Sequence, residues 1–383
     1  MENIKIKIPQ PAWYSELVSI ILQLEKLRGT NDSWDLPKHI FRQLKEVFHI
    51  LETLGSARIE GNNTTLSDYV EHVISGDRCG SEKNLEIENL QRAIKFIEDV
   101  VDTDFIIDRA FISELHKIVT YGLTPPPKGE GSRYPGELRK HNVTIAKAKH
   151  QPPDWIVLPD YFDEFIRFIN QDLKAQNQLL MVAIAHHRFS YIHPFDNGNG
   201  RVGRLLNYAL LIKLGFNVGK ERIFNPSSVF YSDRNKYYEM LAKADSLEDE
   251  DVLQWCEYFL KGLLNEINKI DSLSNKNFVL NKILRAAVDF ARDRMMINDR
   301  EYKILKLLLS KSNLQIKSTD LSEIGITDSV KKSRAIAALR EKNILMTAEG
   351  KARVYTINIA NSYLLRGIIE YLTKLGFVSE FLG

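Results

Sequence analysis

At 383 residues the chain is longer than one ordinary domain, so two or three are expected. Its content, 44% hydrophobic and 27% charged, is that of a soluble globular protein, and a formal net charge of +2 neither demands nor excludes nucleic acid. No apolar run approaches the ~20 residues of a membrane span, so no membrane partner is expected. The opening MENIKIKIPQPAWY lacks the apolar core of a secretory signal. Cys79 and Cys256 show no metal-type spacing and make no disulfide framework, which predicts a cytoplasmic location.

Taken in order, residues 37–54, 84–101, 108–121, 159–174 and 178–190 carry apolar side chains at three- and four-residue spacing and predict helices. Between them, 122–158 is rich in Gly and Pro, and VTIAKAK and WIVLP flank HQPPD, which predicts a short β-hairpin with a Pro-containing turn. Another amphipathic stretch, 251–268, closes this body, and 275–295 reads as a helical connector. Beyond it, REYKILKLLLS, STDLSEIGI and SVKKSRAIAALREKNIL read as three helices and AEGKARVYTIN as a strand pair. Three helices followed by a β wing predict a winged helix-turn-helix. Residues 296–358 hold 12 Lys/Arg against 7 Asp/Glu. DNA is therefore compatible with this domain but not favoured, because such a balance is weak beside the electrostatics of strong DNA binders; assembly or target docking is the expected role. The predicted boundaries are 1–105 for an N-terminal helical region, 106–270 for a core, 271–295 for the connector and 296–383 for the winged-helix domain.

The chemistry concentrates in HPFDNGNGRVGR, residues 193–204, between the apolar stretches LLMVAIAHHRFSYI and LLNYALLIKLGF. Gly198 and Gly200 allow tight turning and close approach of a ligand. Their amides lie just ahead of the next helix, where free N–H groups and the helix dipole favour an anion. Arg201 and Arg204, three residues apart, can reach one side of that helix, and guanidinium forks suit phosphate oxygens. Together these describe a polyphosphate cradle, though without the Gly-Lys-Ser/Thr ending of a P-loop. His193 stands at its lip, where an imidazole of pKa near ~6.5 can accept a proton at neutral pH. His186 and His187 do not extend this into a zinc site: adjacent residues leave a helix in different directions, and no H-E-x-x-H is present.

Residues 193–204 resemble the signature of Fic-domain proteins, H-P-F-x-(D/E)-G-N-G-R-x-x-R, matching every position but one. The likeness extends over roughly residues 40–265, through PGELRKHNVTIAKAKHQPPDWIVLP and DRNKYYEMLAKAD. It implies a mainly α-helical fold: a Fic-type bundle with a β-hairpin flap, followed by the winged helix-turn-helix. It also implies a nucleotidyltransferase, a protein adenylyltransferase with ATP as substrate and a Ser, Thr or Tyr hydroxyl of a target protein as acceptor. His193 would be the general base, and the loop amides with Asn199, Arg201 and Arg204 would hold the phosphates. Ile145, Ala146, Lys147 and Ala148 would align the target as an added strand. Tyr237, Tyr238 and Asp245 would line the adenine pocket. Where the signature has the Asp or Glu that ligates the metal, this chain has Asn197, so weaker Mg²⁺ or Mn²⁺ binding is expected. SARIEGNN, residues 56–63, resembles the inhibitory motif S/T-x-x-x-E-G/N. Ser56 would then cap a short helix ended by Gly61-Asn62, and Glu60 would pair with Arg204. Two other functions stay open: a DNA-binding regulator with a weak core, and a hydrolase removing AMP from modified proteins. A homodimer is compatible with all three.

Overall fold

Apolar residues at helical spacing run through most of the chain, and helix dominates its structure. The computed structural model describes residues 4–28, 35–75, 81–145, 148–216, 226–360 and 363–378. The first helices are α1 (Glu16–Arg28), α2 (Lys38–Ile59), α3 (Leu66–Ser75), α4 (Glu82–Val100), α5 (Arg109–Thr120), α6 (Leu158–Ile169), α7 (Ala175–Ile192) and α8 (Asn199–Lys213). They are followed by α9 (Ser228–Tyr231), α10 (Arg234–Ala244), α11 (Asp249–Asp271), α12 (Lys276–Phe278), α13 (Arg285–Asp293), α14 (Asp299–Ser310), α15 (Ser329–Glu341) and α16 (Leu364–Lys374). No helix among the described residues is long and apolar enough to cross a membrane.

Contacts gather into two units, the first comprising Met1–Asn31, Glu52–Thr64 and Gly80–Asn268. The second comprises Asp32–Leu51, Thr65–Cys79 and Lys269–Gly383, so α2 serves the second up to Leu51 and the first from Glu52. The N-terminal hundred residues are thus divided between the two.

In the first unit α7 and α8 form an antiparallel pair around which α4, α5 and α6 pack. From Leu179 to Phe189 every residue of α7 is buried, and so is almost every residue of α8, which is why neither has a polar stripe in its sequence. Trp255 of α11 donates its indole N–H to the Ala183 carbonyl at 2.7 Å, fixing that helix against α7. A short stiff loop, 193–198, is all that joins α7 to α8.

The β-hairpin expected over 143–158 needs correcting: its described residues form no strand pairing. Ala146 and Lys147 lie outside the described residues. Side chains replace the ladder, since Asn142 Oδ1 accepts from the Trp155 amide at 2.9 Å and Arg139 donates to the Pro153 carbonyl at 2.5 Å. Pro152 and Pro153 have no N–H to contribute to a ladder.

In the second unit α13 and α16 pack together, Gly367 allowing the close approach to Ala287. Further along come α14, β1 (Gln315–Lys317), a 3₁₀ turn at 318–324, α15, β2 (Leu345–Thr347) and β3 (Val354–Ile357). The sheet is antiparallel in the order β1-β3-β2, with Ile316 opposite Tyr355 and Met346 opposite Thr356. α14 starts on a capping box in which Asn298 and Glu301 exchange side-chain and backbone bonds. Gln43, buried on α2, donates to the Ile357 carbonyl at 3.0 Å and accepts from the Ile359 amide at 2.7 Å. The strand pair expected within 348–358 is displaced, residues 348–353 being the connection, and β1 was not expected at all.

Candidate active site

The loop begins where α7 stops. His193 adopts φ 48° and ψ 64°, a left-handed conformation that few non-glycine residues take. Arg139 holds it there, its backbone N–H donating to the Pro194 carbonyl at 2.9 Å and its Nε to the His193 carbonyl at 2.9 Å. Across the loop Asn199 closes a ring on Phe195, accepting from its amide and donating to its carbonyl, both at 2.9 Å. Its side chain shapes the loop from inside, being 2% exposed.

Gly198, at φ 75°, turns the chain into α8, whose first amides have no partner within the helix. Over that end lies the Glu60 carboxylate, so close that a Cβ on Gly200 would collide with it. Glu60 accepts from Arg204 Nη2 at 2.6 Å, while Arg204 Nε donates to Ser56 Oγ at 2.9 Å and Nη2 to the Ser56 carbonyl at 3.0 Å. Burial pushes the Glu60 carboxyl up, but Arg204 and Arg201 outweigh it and hold the group below its usual range. Two residues 144 apart in sequence therefore meet as an ion pair at a helix N-terminus. Ser56 caps nothing; it lies inside the 22-residue α2, whose turn-on-turn spacing puts Glu52 and Ser56 on one face, with Glu60 the first residue past the helix end. Gly61, at φ 103°, does stand just past that helix, as expected.

Residues 106–211 match the Fic/DOC family, and that span holds α5 to α7, the whole loop and α8 up to its last two residues. These residues form a Fic domain. Over 210 residues the chain is 30% identical to the protein adenylyltransferase Fic of Drosophila ananassae, covering 53% of this chain and 38% of that protein. The Drosophila virilis counterpart is 29% identical over 212 residues. The chain thus spans about two fifths of the length of these relatives. Its fold is similar to that of a Fic family protein from Desulfovibrio desulfuricans, with a TM-score of 0.57 and 17% identity over 92% of this chain and 98% of that one. A Fic domain-containing protein from Bacteroides thetaiotaomicron gives 0.52 at 18% identity, covering 68% and 97%.

Within the Fic domain Arg201 is committed: Nη1 meets Glu86 Oε1 at 3.0 Å and Nη2 the Glu130 carbonyl at 2.6 Å. With the side chain wholly buried and this fork occupied, Arg201 ties the start of α8 to Glu86 of α4 and to the Glu130 backbone, whereas Arg204 bonds the Glu60 carboxylate. Asp196 turns aside to Ser132 Oγ and the Arg133 amide. Asn197 Oδ1 accepts from the Gly198 amide at 2.8 Å, while its Nδ2 donates to the Gly131 carbonyl at 3.1 Å. Among the described residues no group of three His, Cys, Asp or Glu could hold a metal. One neutral, already engaged amide oxygen does not make a resident metal site; it fits only a metal carried by a ligand's own phosphates.

Tyr237 is 3% exposed, bonded through its hydroxyl to His186 Nε2 at 2.9 Å and tilted against the rings of Phe230 and Trp255. Its place is the core. Tyr238, 43% exposed, carries Arg234 over its ring. Asp245 meets His187 Nε2 at 3.0 Å, so His186 and His187 do leave α7 in different directions. Of the four residues 145–148 only Ile145 and Ala148 are described, and the Ala148 amide donates to the Ile145 carbonyl at 3.2 Å.

Sequence reading passed over three supports of this Fic domain. Arg139 is the first. His116 is the second: its Nδ1 accepts from the Gly136 amide at 2.8 Å, which makes Nε2–H the donor to the Asn197 carbonyl at 3.1 Å, and its ring stacks 3.8 Å from Phe195. Glu86 is the third, shared by Arg201 and Asn62. For His116 and Glu86 the only signal is polarity inside an apolar helical pattern, and Arg139, in the Gly- and Pro-rich 122–158 stretch, carries no periodic signal at all.

Burial pushes the His193 imidazole down to about 4, with the Arg139 charge adding to the effect; the Ser190 backbone and the Glu60 carboxylate oppose it. Nδ1 itself has no hydrogen-bond partner among the described residues. A group so depressed is an unprotonated base from neutrality down to about that value, which fixes the sign of its pH dependence. For any transfer that uses His193 as base, kcat/KM, which reports the free enzyme, is expected to show no histidine-type fall between pH 8 and pH 5.5, a window set about the usual ~6.5. A midpoint near ~6.5 in the profile would show a solvent-like imidazole instead.

Proposed function

We propose that the chain is a protein adenylyltransferase held inactive by Glu60. The observation carrying this reading is the Glu60–Arg204 pair at the N-terminus of α8: an internal carboxylate lies where the loop amides and a buried arginine would receive a phosphate. With Glu60 displaced, Arg204 and the first amides of α8 bind the polyphosphate of ATP, and the α-phosphate lies near His193. The target's hydroxyl oxygen attacks the α-phosphorus while His193 takes its proton; the bond to the bridging oxygen breaks and pyrophosphate leaves. Arg201, Asn199 and His116 keep the loop in shape and contribute by rigidity. A divalent ion, when bound, neutralises phosphate charge; Asn197 offers it a single neutral oxygen. The reading supposes a target Ser, Thr or Tyr presented beside residues 145–148, with Tyr238 and Asp245 at the adenine edge. Purified protein incubated with α-labelled ATP tests it: label should appear on protein, and label should leave a pre-labelled target if the site is a hydrolase instead.

The metal gives a separate expectation. Asn197→Asp would place a carboxylate beside Glu130, whose Oε2 is 3.4 Å from Asn197 Nδ2. Two neighbouring carboxylates attract a divalent cation more strongly than an amide does. The Mn²⁺ midpoint, read by electron paramagnetic resonance with nucleotide present and by label transfer, is expected to fall several-fold. Equal midpoints would show that position 197 does not set metal affinity.

We assign residues 299–357, with their helix–strand–helix–helix–strand–strand order, to assembly or target docking as a winged helix. Lys331 and Arg334 are exposed on α15, yet the balance of 12 basic to 7 acidic residues over 296–358 is modest. A fluorescence titration with duplex DNA at physiological salt should give weak, salt-sensitive, sequence-independent binding. Nanomolar, sequence-selective affinity would make the DNA-binding regulator the better reading.

A further inference from the structure

Arg139 carries a positive charge into the interior with only 2% of its surface exposed, and no carboxylate bonds to it among the described residues. Burying a charge is costly unless polar groups replace the lost water. Here four carbonyls do so: Nε donates to His193 at 2.9 Å, Nη1 to His141 at 3.0 Å, and Nη2 to Pro153 at 2.5 Å and to Ile192 at 3.5 Å. Two of these, Ile192 and His193, are the last carbonyls of α7, which lack intrahelical partners and mark the negative end of its dipole. The other two belong to the loop that runs from 141 to 153. The backbone of residue 139 adds the bond to Pro194. One planar fork thus ties together both sides of residue 193 and the segment lying beside it.

We propose that Arg139 is a positioning residue for His193: by capping α7 and gripping the His141 and Pro153 carbonyls with the same guanidinium, it sets the imidazole in one geometry relative to those two residues. The inference rests on the reading of His193 as base. It explains how a non-glycine residue stays at φ 48°: the bonds on either side over-determine it. A lysine cannot substitute, because one ammonium does not present in-plane donors to four carbonyls.

The test uses the full chain with Glu60→Gly as parent and compares Arg139→Lys, Arg139→Gln and Arg139→Ala. Misplacing a reacting group by about 1 Å costs on the order of 10²-fold, so kcat for label transfer from α-labelled ATP should fall by about that factor while ATP affinity is retained. Methylguanidinium should restore part of the rate to Arg139→Ala and none to Arg139→Ala combined with His193→Ala. A readout independent of activity is the ¹⁵N imidazole spectrum of His193. It should shift or split in the variants, and in Arg139→Gln and Arg139→Ala its titration should move up from about 4 because the Arg139 charge is gone. A folded Arg139→Lys or Arg139→Gln protein with the parent's ring spectrum overturns the proposal, as does a rate loss matched by lost ATP binding. If the parent transfers no label, the reading of the site fails, and the ring spectrum still decides the role of Arg139.

Discussion

His193→Ala, placed in the Glu60→Gly protein, is expected to lose AMP transfer by ~10²–10⁴-fold, the usual cost of removing a general base, while still binding ATP. The two effects separate because the cradle does not depend on the imidazole. Arg204 bonds the Glu60 carboxylate beside the first turn of α8, whereas His193 caps the end of α7 and takes no part in that pair. Burial keeps the ring neutral, so the wild-type protein has a base available at every pH near neutrality. Label incorporation from α-labelled ATP, measured beside equilibrium ATP binding, checks both halves. Transfer at the parent rate would place the base elsewhere.

The second large effect is the release of the cradle. Glu60→Gly removes a charge-assisted hydrogen bond of 2.6 Å to a buried arginine and clears the space above Gly200. Bonds of this kind contribute ~1.5–3 kcal/mol, which corresponds to about 10–100-fold in the population ready to accept ATP. Self-modification should rise by a similar factor. The same change combined with His193→Ala should be silent. Arg204→Ala should be weak with or without Glu60, because it loses the phosphate contact along with the bonds to Ser56 Oγ and the Ser56 carbonyl. The four proteins are compared at equal concentration after thermal melting confirms that each folds. A folded Glu60→Gly protein that binds ATP yet labels nothing would mean either that the carboxylate restrains nothing or that the core does not transfer AMP.

The stretches with strong helical spacing fold as read. Residues 37–54, 84–101 and 108–121 lie in α2, α4 and α5, and 178–190 in α7. Their burial is decided by a repeating stripe or by unbroken apolarity, and both are visible in sequence. α1, α3 and α16 escaped notice although Leu17, Ile20, Ile21 and Leu24 do form a stripe on α1. The hairpin at 143–158 was expected from alternation alone, but alternation does not say whether a partner strand exists; here Arg139 and Asn142 take the backbone groups a ladder would use. β1 was invisible because three residues, QIK, carry no period.

For the site, the sequence by itself determined the inventory: a histidine before a proline, glycines where a Cβ or negative φ would obstruct the turn, and two arginines one helical turn apart. Local chemistry suffices for that, since a glycine's freedom and an arginine's fork belong to the residue. It also paired Glu60 with Arg204 through resemblance, and the ion pair is there at 2.6 Å. Only the tertiary structure decided how the equivalent-looking arginines divide. Arg201 meets Glu86 of α4 and Glu130, whereas Arg204 meets the Glu60 carboxylate at the N-terminal end of α8. Likewise it assigned Tyr237 to the core and Asn199 to the inside of the loop, and it brought Arg139 across to the end of α7. Which polar groups a buried charge meets depends on segments distant along the chain, and no spacing rule reaches that far.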